Sequence, residues 1–482
     1  MHDKSLQHPL GASGARYSAE AHAAARYRLA VPAGARRTLA IRWLGLGLAA
    51  LMAAGVLSIL LVLSRTPGIS RVLPIAGFFQ VALVAHVDLS VLVWFCAFGG
   101  LLWTLNGTTR ALRAATSGFA LAAAGTAAIA LAPFVGAGRP VMANYIPVLD
   151  EPVFLGGLAV LACGVAIVVV RGMATSLRVR LRLDGADALR FGLNASLVAT
   201  AVALLAFGES FAAVPASLEP KAYYELVFWG GGHVLQFTWT LLMLVAWLWL
   251  ADAGGARVPL SPRVVTLLFG IGLVSVFATP IIYLAYDVGS IEHRRLLTWL
   301  MRFGGSLAIP PIAVAVVIAL ARQRDIAGDA RPLRASLIAS LVLFGAGGVI
   351  GFLISGSNVT IPAHYHGCIV GVTIALMGLA YLLLPALGFA RPSVRLATWQ
   401  PYVYGAGQLL HITGLVWSGG YGVQRKVAGS EQVLGTTQEI AGMGLMGLGG
   451  LIAVIGGILF VVVMVKAMRR GRAHPSPLGF MR

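Results

Sequence analysis

Residues 361–386, IPAHYHGCIVGVTIALMGLAYLLLPA, decide the fold class of this chain. The stretch contains no Asp, Glu, Lys or Arg, and it exceeds the roughly 20 apolar residues that a helix needs to cross the hydrocarbon core of a bilayer. Two histidines, His364 and His366, stand near its start. An ionisable side chain in hydrocarbon is costly unless it is paired or ligated, so this span predicts both a transmembrane helix and a candidate functional site.

The rest of the chain repeats this apolar pattern. Of its 482 residues 58% are hydrophobic and 11% charged, and the mean hydropathy is +0.86, which excludes an ordinary soluble domain. Short loops separate the apolar runs, which predicts an all-α integral membrane protein with one twelve-helix bundle. The twelve spans fall near residues 41–63, 77–105, 115–136, 152–170, 191–212, 224–251, 264–287, 298–321, 335–357, 361–386, 400–420 and 438–466.

Charge predicts the orientation of the bundle. Most of the 36 Lys and Arg residues fall in the two tails and in the alternate loops between them, so both termini are expected in the cytoplasm. The domains are then a cytoplasmic extension over 1–40, a membrane domain over 41–468 and a basic cytoplasmic tail over 469–482. This pattern is typical of a multi-pass protein of a bacterial-type inner membrane. It also explains the net charge of +19, so nucleic-acid binding is not needed to explain that charge.

Six histidines lie on the outer side of this bundle: His86, His233, His293, His364, His366 and His411. Three of them, on spans 2, 6 and 11, share a level roughly 14 to 15 Å below the outer surface at 1.5 Å per residue. Any one of them alone is better explained as a hydrogen-bonded structural histidine. Unrelated histidines, however, have no reason to share a side and a depth, so together they predict a site.

The spacing of His364 and His366 predicts two centres. Residues two apart on a helix point about 200° from one another, which is too far round to bind one metal together. Imidazole suits heme iron and copper, whereas the spans offer no cysteine pair and no Glu-x-x-His motif for other metal sites. Two hemes flanking span 10 are therefore expected.

These residues resemble subunit I of the heme-copper oxidase superfamily, the cytochrome c oxidase subunit I type, over the whole twelve-helix core. The matching stretches are AHVDLSVLVW with His86, FWGGGHVLQF with His233, IEHRRLLT with His293, and the span that carries His364 and His366. The resemblance implies that His86 and His366 hold a low-spin heme and that His364 holds a high-spin heme. It also implies a copper ion, bound by His233 and His293, facing the second heme.

The segment GQLLHITGLVWSGGYGVQRKVAG resembles the family's helix 11 and its outer end. There Arg425 and Lys426 are expected to bind heme propionates; the alternative is ordinary outer-loop charge. His411 matches no primary ligand of the family, so we expect a supporting or structural role for it. The outer loop NYIPVLDEPVFLGG (144–157) either contacts a donor protein or heme propionates, or is a plain interfacial turn.

The predicted copper site departs from the family pattern. Arg294 stands where a second histidine is expected after His293, and a guanidinium is no metal ligand. The second metal then needs another ligand, for which Gln236 and Glu292 offer oxygens, or it is iron in place of copper.

The residues that would deliver protons to the site also differ from the family pattern. Phe237 stands where some members of the family have a tyrosine, and Tyr283 or Tyr286 on span 7 is the expected substitute. The candidate catalytic residues are therefore His233, His293, His364 and Tyr286. Asp88 and Glu209 are the embedded carboxylates. Each is either part of a proton path or a hydrogen-bonded structural group.

The resemblance implies a respiratory terminal oxidase subunit. Electrons from an outer-side cytochrome c, or from a membrane-anchored donor subunit, would pass through the low-spin heme to a centre that reduces dioxygen to water. Two alternatives stay open: a nitric oxide reductase with iron as second metal, and a non-catalytic heme-binding electron carrier or sensor.

Overall fold

A computed structural model of the chain describes residues 26–66, 76–136, 138–427 and 432–470, with the side chains of 76 and 77 left out. Most of the extension predicted over 1–40 and most of the tail predicted over 469–482 lie outside the described residues. So do the four tail histidines, His2, His8, His22 and His474.

The described residues are 78% helical and form the predicted membrane fold. Eleven of their helices are long and apolar enough to cross a bilayer, and the twelfth long helix, α11, carries Gln400, Gln408 and His411 among its apolar residues. The helices are α1 Ala35–Arg65, α2 Ala76–Val87 continued by Asp88–Val93 and Trp94–Asn106, α3 Leu112–Val135, α4 Pro152–Thr175, α5 Gly185–Ala213, α6 Pro220–Ala253, α7 Pro262–Ala285, α8 Ile291–Arg322, α9 Arg331–Phe352, α10 Thr360–Ala386, α11 Val394–Gly420 and α12 Thr437–Arg469.

Helix α2 contains a π-helical segment, Asp88–Val93, that begins two residues after His86. In this winding each backbone N–H pairs with a carbonyl five residues back, so one extra residue is accommodated and the following side chains rotate about the axis. Such segments are rare and occur often at functional sites. The sequence pattern of α2 gave no sign of it.

Helices α6 and α10 form the centre of the bundle. In the most apolar 18-residue stretch of each, 89% and 83% of the residues are buried, whereas the value is 33% for α1, α7 and α8. A helix that is apolar all round is expected to be enclosed by other helices. The two helices that carry His233, His364 and His366 are therefore the ones most shielded from lipid.

Helices α11 and α12 approach each other very closely. A Cβ atom built on Gly449 would lie 2.6 Å from the carbonyl oxygen of Gly407 and 2.3 Å from the backbone nitrogen of His411. Small residues allow such an approach between membrane helices. The contact fixes the backbone of α11 at the position of His411.

Two short segments cover the ends of the bundle. At one end, strand β1 (Arg139–Val141) pairs antiparallel with β2 (Val148–Asp150), and Pro140 faces Leu149. At the other end, the segment before α1 lies across the loop after α6, where the hydroxyl of Tyr27 donates to the carbonyl of Leu260 at 2.7 Å and Arg28 pairs with Asp252. The loop between β1 and β2 reaches the candidate site.

Candidate heme site

A cavity of about 520 Å³ lies between α1, α2, α10, α11 and α12. Its walls are mainly apolar, and three histidines line it: His86, His366 and His411. The volume falls within the roughly 300 to 1,000 Å³ of typical ligand and cofactor pockets. Apolar walls with a few imidazoles are the surroundings that a heme requires, so these residues fit the group.

His86 is held in a fixed orientation. Its Nδ1–H donates to the carbonyl oxygen of Ala54 on α1 at 2.9 Å. The backbone carbonyl of His86 in turn accepts from the hydroxyl of Ser90 at 2.6 Å. With the proton on Nδ1, the Nε2 lone pair remains available to a metal.

His366 enters the cavity from α10 and His411 from α11. The centroids of the two rings are 5.0 Å apart and their planes are tilted by 50°. The Nδ1–H of His411 donates to the carbonyl oxygen of Met446 on α12 at 3.0 Å. The structure thus brings His411, for which the sequence predicts only a supporting or structural role, to the same cavity as the two expected ligands.

His364 lies on a different side of α10 from His366, as their spacing predicts. It does not line the large cavity; its Nδ1–H donates to the carbonyl oxygen of Gly347 on α9 at 2.7 Å. Gly351 provides space for the ring, because a Cβ atom there would lie 2.8 Å from the Nδ1 atom. The His364 ring is therefore oriented in the same way as the His86 ring, by a hydrogen bond from Nδ1 to a backbone carbonyl of a neighbouring helix. It lies on the face of α10 opposite to His366.

Basic residues gather where α1 and the α11–α12 loop meet the cavity. Arg65 and Lys426 line it, and both Arg65 and Arg425 interact electrostatically with Tyr365, another lining residue. Arg65 also donates to the carbonyl of Gln424 at 3.4 Å. Arg65 is a site residue that the sequence did not single out; the signal available for it is its place at the outer end of span 1.

Lys426 connects this cavity to the hairpin loop. Its ammonium donates to the carbonyl oxygen of Met142 at 2.6 Å and to the side-chain oxygen of Asn144 at 3.3 Å. Burial is the main cause that lowers the pKa of Lys426 from 10.5 to about 8, and the charge of Arg425 adds to it. An anionic group in the cavity would offset the free-energy cost of burying the charged ammonium, which suits the expected binding of a propionate.

This buried lysine predicts a pH dependence of stability. Because the pKa of Lys426 is lower in the folded chain, the unfolded chain binds more protons between pH 8 and 10.5, and stability should rise with pH in that window. The rise should not exceed about 3 kcal/mol. Thermal unfolding of heme-depleted protein in detergent at a series of pH values measures it. Lys426→Met should flatten this rise, and an equal rise in the variant would exclude Lys426 as its source.

A second group of residues surrounds His233 on α6. The His233 side chain is buried, its Nδ1–H donates to the carbonyl of Trp229 at 2.7 Å, and the ring of Tyr145 lies 4.6 Å away. His293 on α8 is fully buried, and it is close enough to His233 to interact with it electrostatically. Neither ring nitrogen of His293 has a hydrogen-bond partner among the described residues, so both are available to a ligand.

The neighbouring side chains that bear on the second metal are Arg294, Glu292 and Gln236. The guanidinium of Arg294 stacks 4.6 Å above the ring of Trp229, and Glu292 is exposed. The side-chain amide of Gln236 donates to the carbonyl of Gly232 at 3.5 Å. Within the described residues no group of three or more His, Cys, Asp or Glu side chains is placed to hold a metal. His233 and His293 therefore fit a two-imidazole site and not a three-imidazole copper site.

Of the two candidate tyrosines, Tyr283 is the one beside His293. Its ring meets the imidazole edge-on at 4.6 Å, and its hydroxyl is hydrogen-bonded to that of Ser210 at 2.7 Å. Tyr286, which the sequence places in the catalytic set, is 40% exposed at the end of α7. Tyr283 is therefore the candidate tyrosine that contacts a histidine of this second group.

The two embedded carboxyls have different surroundings. Asp88, in the π-helical segment of α2, is 1% exposed, and neither of its carboxyl oxygens has a hydrogen-bond partner among the described residues. Glu209 on α5 is exposed. The structure therefore gives Asp88 no hydrogen-bonded structural role.

Tyr145 is a site residue that the sequence did not identify, although it lies in the loop over 144–157. It fills the space left by a missing side chain, since a Cβ atom on Gly232 would lie 2.3 Å from the Cγ atom of Tyr145. Burial raises the pKa of Tyr145, so its hydroxyl stays protonated. The loop between β1 and β2 thus closes over His233.

Gly232→Ala should displace Tyr145 from His233 and destabilise the protein by about 1 to 3 kcal/mol, the usual cost of overpacking. Thermal unfolding in detergent measures the change. Gly208→Ala on α5 is the matched control, because a Cβ atom there has open space within 4 Å. It should be neutral or slightly stabilising, since alanine favours helix over glycine. Equal effects of the two substitutions would exclude the Tyr145 contact as the cause.

Comparison with known proteins gives three matches. The family model described as "Cytochrome C and Quinol oxidase polypeptide I" matches residues 38–459. An uncharacterized protein of Rickettsia prowazekii (strain Madrid E), RP382, is 30% identical over 500 residues, covering 89% of this chain and 96% of its own length. An uncharacterized protein of Aquifex aeolicus (strain VF5) is 26% identical over 364 residues, covering 75% of this chain and 88% of its own length.

Proposed function

The chain belongs to the cytochrome c and quinol oxidase polypeptide I family, and we propose that it is a membrane-bound redox subunit that binds heme through its intramembrane histidines. One observation carries the proposal. His86, His233, His364 and His411 each donate from Nδ1 to a backbone carbonyl of the bundle. This arrangement is typical of metal-binding histidines, because it fixes the tautomer and directs Nε2 to the metal.

Two hemes are proposed. His86 and His366 would hold the first in the large cavity, and His364 would hold the second on the other face of α10. A bound heme supplies a one-electron redox centre inside the hydrocarbon. The chain's own residues position it: the apolar walls exclude water, and Arg65 and Lys426 offer positive charge to anionic propionates at one edge.

The donor is proposed to act at the outer surface. Family membership and the charge pattern together support a bacterial-type inner membrane, cytoplasmic termini and a membrane domain over 41–468. The basic residues at the cavity then lie near the outer interface, at the level that a cytochrome c or an anchored donor subunit reaches. The lipid bilayer is the remaining partner.

Dioxygen reduction requires more than heme binding. A second metal facing the second heme would have to be held by His233 and His293, and the described residues provide no third imidazole beside them. Heme-based electron transfer is the function that the geometry supports best, and dioxygen and nitric oxide reduction depend on the second metal.

Metal analysis of the purified full-length chain tests this proposal. We expect two hemes per chain and copper well below one per chain, because two imidazoles make an incomplete copper site. One copper per chain would support dioxygen reduction against our expectation. One additional non-heme iron would support nitric oxide reduction, and a chain without heme would overturn the proposed function.

A further inference from the structure

We propose that the end of the bundle where α1 and α3 begin binds a phosphate group through Arg36 and Arg171, and that an anionic phospholipid headgroup supplies it. This site is remote from the large cavity. Arg36 and Arg65 stand at opposite ends of α1, roughly 44 Å apart at 1.5 Å per residue. The proposal therefore goes beyond heme binding and does not depend on it.

Two guanidinium groups meet at the loop that follows α2. Arg36 donates from Nη1 to the carbonyl oxygen of Gly107. Arg171, on α4, donates from Nη2 to the carbonyl oxygen of Thr108 and from Nε to that of Arg110 at 3.3 Å. A Cβ atom on Gly107 would lie 2.8 Å from Nη1 of Arg171, so both guanidinium groups lie against this residue. They are close enough to repel each other electrostatically.

No carboxylate compensates this pair of charges. Within the described ranges neither Arg36 nor Arg171 forms an ion pair, although Arg171 is only 5% exposed. Asp187, a buried carboxylate near the start of α5, is already paired with Arg180 and Arg190. A buried charge is unfavourable unless it is paired, and the loop carbonyls supply dipoles but no counter-charge. A bound anion would therefore stabilise this end of the bundle.

Each guanidinium keeps one nitrogen free for such an anion. Nη2 of Arg36 and Nη1 of Arg171 make no hydrogen bond with any described residue, and neither atom is enclosed by the protein. Nε of Arg36 also has no partner among these residues. A phosphate group has several acceptor oxygens and can accept from two guanidinium groups at once, which makes arginine a common residue for binding it.

The helix ends at this site also favour an anion. Helices α1 and α3 begin after Gly34 and Ala111, and neither residue provides a side-chain cap. The first turn of each helix contains no acidic residue; instead it carries Arg36 and Arg37 in α1 and Arg113 in α3. The positive end of a helix dipole is stabilised by negative charge, so the observed charges are the reverse of the favourable ones. An anion bound here would offset this repulsion.

The position of the site favours a lipid headgroup as the source of the phosphate. The ends of membrane helices lie at the level of the headgroups, and basic residues there attract anionic lipids. Val170 and Met173, on either side of Arg171 in the sequence, are 68% and 53% exposed, so α4 offers an apolar surface to an acyl chain. The competing explanation is that the two arginines serve only to bind the loop carbonyls. In that case no anion should respond to their removal.

The test is native mass spectrometry of the full-length chain, purified in detergent and depleted of lipid. Dioleoyl phosphatidylglycerol is compared with dioleoyl phosphatidylcholine, whose choline group neutralises the phosphate. We expect the wild-type chain to prefer phosphatidylglycerol. Arg36→Gln should weaken that binding about tenfold or more, because it removes a charge-assisted hydrogen bond. Arg182→Gln is the matched control, since Arg182 is exposed in the loop between α4 and α5 and should bind lipid as the wild type does.

Arg171→Lys provides a second variant if Arg36→Gln does not fold, since lysine keeps the charge but lacks the planar fork of arginine, and it should also weaken the binding. Thermal unfolding with added inorganic phosphate separates the two sources. Stabilisation by inorganic phosphate that Arg36→Gln removes, without a preference between the lipids, would support the phosphate site and overturn the lipid as its source.

Two results would overturn the whole proposal. One is a wild-type chain that binds both lipids equally and does not respond to inorganic phosphate. The other is an equal loss of binding in Arg182→Gln, which would assign the preference to overall charge. Heme content should be unchanged in all of these variants, so failure of this proposal is distinguishable from failure of the proposed function.

Discussion

His86→Ala is expected to abolish the low-spin heme of the large cavity. His86 is the one histidine on the α2 side of this cavity, so neither His366 nor His411 can replace it on that face. Loss of residues that merely orient a metal ligand already costs about 10- to 100-fold in affinity, and loss of the ligand itself should cost at least as much. The low-spin signal of the ferric protein, measured per chain by electron paramagnetic resonance, should fall at least about tenfold.

His233→Ala is the matched control for this substitution. His233 is also a buried histidine anchored through Nδ1, but it lies beside Tyr145 and Trp229 and does not line the large cavity. Its removal should leave the low-spin signal intact. A low-spin signal that survives His86→Ala, or that disappears with His233→Ala, would show that the heme is bound elsewhere.

Gly55→Trp is expected to exclude heme from the same cavity without unfolding the bundle. Gly55 lines the cavity from α1, and a Cβ atom there has no heavy atom within 4 Å, so an indole has room to enter. A macrocycle forced to share the space would meet overpacking costs of about 1 to 3 kcal/mol or more, up to roughly a hundredfold in affinity. Heme content per chain, measured by pyridine hemochrome, should fall by about half if the second heme remains.

Gly45→Trp provides the control on the same helix. Gly45 also has open space around its Cβ position, but it is not part of the cavity lining. Full heme content is expected in this variant, and both variants should elute as monodisperse protein in detergent. Normal heme content in Gly55→Trp would mean that the cavity between α1, α2 and α10 is not where heme binds.

The helices could be predicted from the sequence because they depend on local quantities. Apolar run length identifies a membrane helix, and the rise per residue sets the level of a side chain along it. The spans predicted near 224–251 and 361–386 appear as Pro220–Ala253 and Thr360–Ala386. The spacing of His364 and His366 likewise indicated that they face different sides of α10.

The anchoring of the rings could not be predicted, because it depends on contacts between helices. The carbonyls that orient His86 and His411 belong to Ala54 and Met446, which are 32 and 35 residues away along the chain. Nothing in the local sequence marks such a pair.

Side-chain direction explains the remaining differences. Arg294 follows His293 directly, yet it stacks on Trp229 at the surface while the imidazole is fully buried. Tyr145 reaches His233 from a loop only because Gly232 has no side chain. The sequence places Arg294 next to His293 and Tyr145 in an outer loop, but it does not show in which direction either side chain points.

Heme quantification combined with spin-state analysis of the wild-type chain tests the central claim most directly. Purified full-length protein, in the ferric form and without added imidazole, should contain one low-spin bis-imidazole heme per chain, since His86 from α2 and His366 from α10 both line the cavity. A chain that contains no heme, or only high-spin heme, would contradict the claim that these intramembrane histidines form a heme site.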